Sequence, residues 1–370
     1  MTTDRPLSVA HVLWSGGVGG IERLVHQLAL HQRSSGLTVS VVFGQARGPF
    51  AAAIRDAGLP VRDLGLRSGF DLRPWHVRSA ARALAGSDVI HLHGFNLPFG
   101  AIAMASKRPI VFTDHGIVSI GPRTGVAGHI LRIAKRGFLR RACAKIAANS
   151  MWTRARLGEV LGVDPGLVTV IHNGIATTSP TDPARRATGD ARLVVAFVGR
   201  LAAIKRVDRL LRGLSQVHEP ARVRGLIVGD GPLENDLKEL ASSLGCNSLV
   251  EFLGYSSDVD SILSASDVLV QPGQEEAFGL TIIEGCRQGA LPVVFADGGG
   301  ALEVLPPDGR VVADESDLAQ VLDTLVHDRQ ALTPSARRSR AAWAVERFPI
   351  HRTADAYLAL YRASVARCRP

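Results

Sequence analysis

Two carboxylates eight residues apart, Glu276 and Glu284, sit within the stretch QPGQEEAFGLTIIEGCR at Gln271–Arg287. An apolar strand, DVLV at Asp267–Val270, feeds a Pro-Gly turn, and Phe278, Gly279 and Leu280 open a helix that continues TIIEGCRQ. The first backbone amides of a helix lack intrahelical partners and carry the positive end of its dipole. Ala277, Phe278, Gly279 and Leu280 therefore offer a cradle for an anion such as a phosphate. Glu276 precedes the cradle and Glu284 follows it, at most about 12 Å away along the axis even if every residue between were helical. An extended sugar diphosphate nucleoside presents hydroxyls at both ends and phosphates between over about that length. The plain alternative is a helix with two surface glutamates.

Other residues invite chemistry and mostly decline it. His91 and His93 alternate on a strand and imitate a metal pair, but no third ligand is evident, so no metal is expected; His93 is left as a residue that lines the site. Cys286, beside Glu284 on a mostly apolar helix, reads as packing rather than a nucleophile. SGGVGGIE follows a strand, and Gly17 and Gly19 fit the first two positions of G-x-G-x-x-G, but the third is Glu22. No acidic residue ends the next strand, VVFGQ, so a nicotinamide or flavin site is disfavoured. No G-x-x-x-x-G-K-[ST] phosphate loop occurs, which argues against a motor or kinase of that type.

The elements that must position these residues alternate along the chain. SVAHVLWSGG from Ser8 reads as a buried strand, and Ile21, Leu24, Val25, Leu28 and Ala29 follow at helical spacing. Strand-like runs recur at TVSVVFG, VRDLGL, DVIHLHG, PIVFTDHG, AKIAANS and LVTVIHNGI, and again at LVVAFVGR, RGLIVGDG, LVEFLGY, DVLVQPG and LPVVFAD. Helical or loop-length segments separate them, a pattern of parallel sheets with helices on both faces. Residues 176–192, ATTSPTDPARRATGDAR, carry almost nothing large and apolar and read as a linker. Expected boundaries are 1–176, a linker at 177–191, a second domain at 192–345 and a terminal helical segment at 346–370. At 370 residues, two domains fit better than one core.

Composition is that of a soluble globular enzyme, 46% apolar and 21% charged. No membrane span or export signal is read, so a cytoplasmic protein is expected. Four scattered cysteines without C-x-x-C spacing give neither a zinc nor a disulfide framework. Residues 1–180 hold 21 Lys/Arg against 9 Asp/Glu, whereas residues 181–370 hold 22 against 25. The basic half is expected to meet something anionic: nucleic acid, an acidic membrane or a phosphorylated acceptor. Few aromatics accompany the basic residues, which leaves nucleic acid little support.

FVGRLAAIKRVDRLL, LIVGDGPLENDLKELA, VEFLGY and QPGQEEAFGLTIIEGCRQGALPVVFADGGGALEVL, preceded in order by GGVGGIERL, HLHG, FTDHG, AANS and VIHNGI, resemble the retaining family 4 glycosyltransferases of GT-B architecture. The resemblance spans nearly the whole chain. It implies an α/β fold of two facing, doubly wound Rossmann-like domains, with a nucleotide sugar held mainly by the second and the C-terminal helix crossing back to the first. It further implies that Arg200 and Lys205, as the R-x4-K pair, bind the donor diphosphate, where negative charge grows as the nucleoside diphosphate leaves. Gly16 and Gly17 correspond to the glycine-rich loop that approaches the same phosphates, Glu284 to the carboxylate on the ribose, and Glu276 to the one beside the transferred sugar. His115, closing FTDHG, corresponds to a histidine near that sugar's outer hydroxyls. The backbone at Gly254 and Tyr255 is the expected place for the base. The family's usual proline before Asn-Gly is His172 here, and its serine after the carboxylate strand is Gly273.

The activity so implied is transfer of a hexosyl unit from a nucleotide diphosphate sugar to a hydroxyl acceptor with retention, without a metal or other cofactor. A non-hydrolysing nucleotide-sugar epimerase and a nucleotide-sugar-binding regulatory protein are the alternatives. The acceptor is expected from the first domain. In HILRIAKRGFLRRACAK, His129–Lys145, the basic residues Arg132, Lys135, Arg136, Arg140, Arg141 and Lys145 interleave with Ile130, Leu131, Ile133, Phe138 and Leu139. Such a helix either rests on anionic lipid or turns its apolar side to the sheet and its arginines to water. The charge of the whole half favours peripheral contact with the inner face of an anionic membrane and a lipid-linked or cell-envelope acceptor.

Overall fold

The structure is a computed structural model that describes residues 5–116, 126–176 and 191–367. Contacts divide the chain into two compact units, 1–176 with 350–370, and 177–349. The sequence-assigned linker falls almost entirely outside the described residues, as does Cys368.

In unit 1 the apolar runs form β1 (Ser8–Ser15), β2 (Thr38–Gln45), β3 (Val61–Asp63), β4 (Val89–Leu92), β5 (Ile110–Asp114), β6 (Lys145–Ala148) and β7 (Val168–Val170). They make one sheet in the order β3-β2-β1-β4-β5-β6-β7, with every pairing parallel. Val9 of β1 pairs with Val39 on one side and Val89 on the other, so β1 is an interior strand, and it is buried along most of its length. Such a strand carries no polar face, which is why it reads as a continuous apolar run. The helix Gly20–Ser34 covers one face through Leu24, Val25, Leu28 and Ala29.

Unit 2 contains β8 (Leu193–Val198), β9 (Val223–Val228), β10 (Val250–Gly254), β11 (Val268–Gln271), β12 (Leu291–Phe295) and β13 (Arg310–Val312). This sheet is also all parallel, in the order β10-β9-β8-β11-β12-β13. β13 was not expected from the sequence: two of its three residues are exposed, so it leaves no apolar run to read. The core joins Leu193, Val195 and Phe197 of β8 to Leu210, Leu211 and Leu214 of the helix Val207–Leu214.

The chain order reverses between β1 and β4 in one sheet and between β8 and β11 in the other. Open α/β sheets bind ligands at the carboxyl ends of the strands flanking such a reversal. Gly16 and Gly17 follow β1 and His93 follows β4; Gly199 and Arg200 follow β8 and the Pro272–Gly279 loop follows β11.

The return to unit 1 begins at Ile350, four residues later than the sequence boundary, because the helix Pro334–Arg347 continues to Arg347 and stays in unit 2. Arg337 and Arg340 anchor that helix from buried positions, donating to Ser266 O at 2.9 Å and Gly289 O at 2.9 Å. The helix Ile350–Arg367 then crosses to unit 1, where Ile350, Ala354, Tyr357, Leu360 and Tyr361 pack with Val9, Leu24, Leu28, Val89 and Val111. Each fully buried large side chain of this kind contributes about 1.5–3 kcal/mol. Where the family's proline is replaced by His172, the His172 carbonyl accepts from Thr353 Oγ1 at 2.8 Å, and Ile350 N donates to Ile175 O at 2.9 Å. The segment thus docks the returning helix by its backbone, which a histidine does as well as a proline.

Candidate active site

In unit 2 two of the expected site residues, Lys205 and Glu276, meet at the β11 exit. Glu276 accepts from Lys205 Nζ in an ion pair and from Gln271 Nε2 at 3.0 Å. Lys205 closes the short helical turn Ala203–Lys205 after β8, and Gln271 is the last residue of β11, so the strands flanking the sheet reversal supply the two donors. Backbone bonds fix the loop: Gln274 N donates to Ile204 O at 3.2 Å, Glu275 N to Asp297 O at 2.9 Å and Gly300 N to Glu276 O at 2.7 Å. Glu275 adopts φ 51°, unusual for a non-glycine residue. Asp297 accepts from both terminal guanidinium nitrogens of Arg209, at 2.7 and 2.8 Å, which lower its carboxyl below the usual range.

The helix opens at Leu280, with Gly279 as its N-cap at φ 90°, a conformation that glycine adopts without a Cβ penalty. No side chain caps this end of the helix. The Phe278 ring is buried and meets Phe348 edge-on at 6.1 Å. Ala277 is half-buried beside it. Glu284 lies in the second turn and is buried. Burial pushes the Cys286 thiol up, as befits packing.

Arg200 is exposed just past the β8 exit. That exit is set by Gly229, where a Cβ would come within 1.9 Å of Gly199 O. Gly254 ends the edge strand β10 and accepts from Gly229 N at 2.8 Å, while Tyr255 is 49% exposed beside it. Gly254 and Tyr255 therefore stand three strands from Glu276, and at strand spacing that is about 14 Å. Gly273, where the family has serine, packs under the Lys205 turn, with a Cβ there 3.3 Å from Ile204 O.

In unit 1, Gly16 and Gly17 have different local reasons to be glycine. A Cβ on Gly16 would meet Ala51 Cβ at 2.5 Å, whereas one on Gly17 would meet only Ser15 Oγ at 3.4 Å. His115, half-buried, follows β5 and joins the buried His11 and His93: His11 Nδ1 lies 2.9 Å from His93 Nε2, and His93 Nδ1 lies 3.0 Å from His115 Nε2. His91 sits against them, 3.9 Å from His93 by ring centroids. His11 is the third histidine that the sequence did not offer, and His11, His91 and His93 bring ring nitrogens within 4.8 Å of one another. All six of those nitrogens already have protein partners, His91 through Tyr361 and Thr113 at 2.8 Å each and His11 through Gln32 at 2.8 Å. A metal would have to break these bonds to bind.

Lys135 corrects the sequence view of the basic helix Val126–Arg141. It is buried and donates to Asp114 Oδ2 at 2.7 Å, so it belongs to the core and not to the basic surface. Leu131, Phe138 and Leu139 are likewise buried, while Ile130 and Ile133 are 55% and 59% exposed among Arg132, Arg136, Arg140 and Arg141. No helix among the described residues is long and apolar enough to cross a membrane.

Sequence reasoning missed Gln271, His11, Gln32 and the Asp114–Lys135 pair. Each left a faint signal: a polar residue closing or interrupting an apolar strand, or a glutamine four residues beyond Leu28 on the buried stripe of a helix.

Known proteins bear on this geometry. Residues 18–179 match the family described as Glycosyltransferase Family 4, and residues 179–342 match Glycosyl transferases group 1. A D-inositol 3-phosphate glycosyltransferase of Rhodococcus opacus (strain B4) is 28% identical over 94% of this chain and 86% of its own. The solved structure of Anabaena Alr3699/HepE in complex with UDP-glucose matches with a TM-score of 0.82 at 23% identity, over 96% of this chain and 100% of that one. WaaG, a glycosyltransferase involved in lipopolysaccharide biosynthesis, matches with a TM-score of 0.72 at 18% identity, over 94% and 98%. These structural likenesses establish the GT-B fold. The chain belongs to the group 1 glycosyltransferases of family 4.

Proposed function

We propose that this glycosyltransferase moves a hexosyl unit from a nucleotide diphosphate sugar to a hydroxyl acceptor with retention of anomeric configuration. The observation that carries the proposal is the β11 junction, where Lys205 and Glu276 meet beside an uncapped helix end. In this proposal Arg200 and Lys205 neutralise the leaving diphosphate, the amides of Gly279 and Leu280 receive its oxygens, and Glu284 takes the ribose hydroxyls. Glu276 orients the transferred sugar. No step requires a metal, because the two cations and the helix end supply the positive charge. A uridine donor is favoured by the UDP-glucose bound to Anabaena Alr3699/HepE.

The test is donor hydrolysis and transfer with Lys205→Ala and Glu284→Ala. Both variants are expected to lose at least about tenfold in donor kcat/KM, matching the loss of a charge-assisted contact. Unchanged donor KM and turnover in both would sink the site assignment. An inverted anomer in the NMR spectrum of the product would contradict retention.

For the acceptor, the observation is the helix Val126–Arg141, with Ile130 and Ile133 exposed among four arginines. This surface suits an anionic bilayer, with isoleucines entering the interface and arginines meeting headgroups, and it supports a peripheral enzyme at the inner membrane face acting on a lipid-linked or cell-envelope acceptor. Vesicles containing anionic lipid should retain the protein at low salt and release an Ile130→Ser/Ile133→Ser variant. Failure to retain the parent protein excludes the membrane part of the proposal alone.

A further inference from the structure

Unit 1 holds a buried polar chain whose direction can be followed bond by bond. Gln32 is buried on the helix Gly20–Ser34, and its Oε1 lies 2.8 Å from His11 Nε2. An amide oxygen only accepts, so His11 Nε2 carries the proton. Burial lowers His11 to about 4, so at neutral pH its ring is uncharged and Nδ1 is bare. The His93 Nε2 at 2.9 Å must then donate to it. Burial also holds His93 well below its ordinary value, which leaves His93 Nδ1 bare and makes His115 Nε2, 3.0 Å away, the donor. His115 is lowered to about 4 by the same cause, so its remaining nitrogen, Nδ1, is a bare lone pair. That atom is buried and has no hydrogen-bond partner among the described residues.

The other end of the chain agrees with this sense. Gln32 Nε2 donates to Tyr361 OH at 3.4 Å, the Tyr361 hydroxyl donates to His91 Nδ1 at 2.8 Å, and His91 Nε2 donates to Thr113 Oγ1 at 2.8 Å. Thr113 in turn donates to Tyr357 OH at 3.1 Å. Turning the Gln32 amide over would reverse every bond and convert His115 Nδ1 into a donor, so the amide is the element that chooses.

We propose that Gln32 acts through His11 and His93 as a positioning residue that fixes the His115 tautomer, keeping His115 Nδ1 as an unprotonated acceptor for a substrate hydroxyl. The proposal rests on the glycosyl-transfer function above, and on the family resemblance for a sugar hydroxyl as what His115 meets. A sugar or acceptor hydroxyl can donate to such an atom, and a fixed tautomer removes the cost of proton rearrangement when it binds. Gln32 itself lies two histidines away from His115.

The test is a long-range 15N–1H correlation spectrum of the full chain labelled with 15N-histidine, near neutral pH, beside donor-hydrolysis kinetics. In the parent protein His115 is expected as the Nε2–H tautomer with Nδ1 unprotonated. Gln32→Met, which removes the acceptor at similar size, should give a mixture of His115 tautomers and a several-fold lower donor kcat/KM. Gln32→Glu, which restores an acceptor for His11, should recover the single tautomer and most of the rate. A protonated His115 Nδ1 in the parent protein, or a His115 spectrum and kinetics unchanged by Gln32→Met, would overturn the proposal, as would zinc retained stoichiometrically through His11. If Gln32→Met does not fold, the parent spectrum still decides. The spectra do not depend on turnover, so a failed glycosyl-transfer assignment and a failed relay give different results.

Discussion

At the scale of single residues, the Lys205–Glu276 pair sets up a competition. Lys205 is committed to a carboxylate with Gln271 as the second donor, so a diphosphate arriving at the same lysine must displace Glu276 and approach its negative charge. Glu276→Gln should therefore bind nucleoside diphosphate more tightly, by about tenfold or about 1.4 kcal/mol, while transferring sugar more slowly. Titration calorimetry with the diphosphate checks the first half, and equal or weaker affinity would show that Lys205 does not meet phosphate. The sequence made Lys205 and Glu276 legible because both stand in motifs that follow strands. It did not make their pairing legible, since 71 residues separate them and only the β8–β11 adjacency brings them together. Gln271 and Gln32 stayed hidden for a related reason: a lone polar residue in an apolar pattern resembles noise until its partner is known.

At the scale of elements, the β1 exit separates two glycines that a motif treats alike. Gly16 accepts from Phe50 N at 2.9 Å and donates to Arg47 O at 2.9 Å, wedged against the helix Pro49–Asp56. Gly16→Ala should overpack that contact and destabilise unit 1 by about 1–3 kcal/mol, read by denaturant unfolding. Gly17→Ala has room locally and should leave stability within about 0.5 kcal/mol, because no described neighbour obstructs the added carbon. If Gly17 borders the phosphates, the same variant should still lose donor turnover. Stability loss in Gly17→Ala, or full turnover, would remove it from the site. The strands themselves were largely legible, since buried parallel strands write themselves as apolar runs. β13 was not, and the beginning of the return at Ile350 was blurred because Pro349 lies between two helices that both pattern as amphipathic.

At the scale of the whole molecule, the histidine cluster ties stability to pH. His11, His26, His91, His93 and His115 all titrate below their ordinary value because burial disfavours the charged ring. A group whose folded pKa is depressed binds protons more readily when unfolded, so its contribution is fully present above the unfolded value of about 6.5 and is lost as pH falls toward the folded value. For His11 and His115 that lower limit is about 4. Glu22 opposes the trend, its carboxyl raised by burial, but it is a single group. Even one such histidine gives a slope of about 1.4 kcal/mol per pH unit in the window, so the protein should lose stability steadily from pH 6.5 downward, well before its carboxylates protonate. Thermal unfolding followed from pH 7.5 to 5 should show a falling Tm. The decline should be shallower in His11→Gln, which removes one titrating ring from the cluster. A Tm that stays flat or rises over this interval would mean that the cluster is hydrated or already charged in the folded protein. The direction of every bond from Gln32 to His115 would then have to be reassigned.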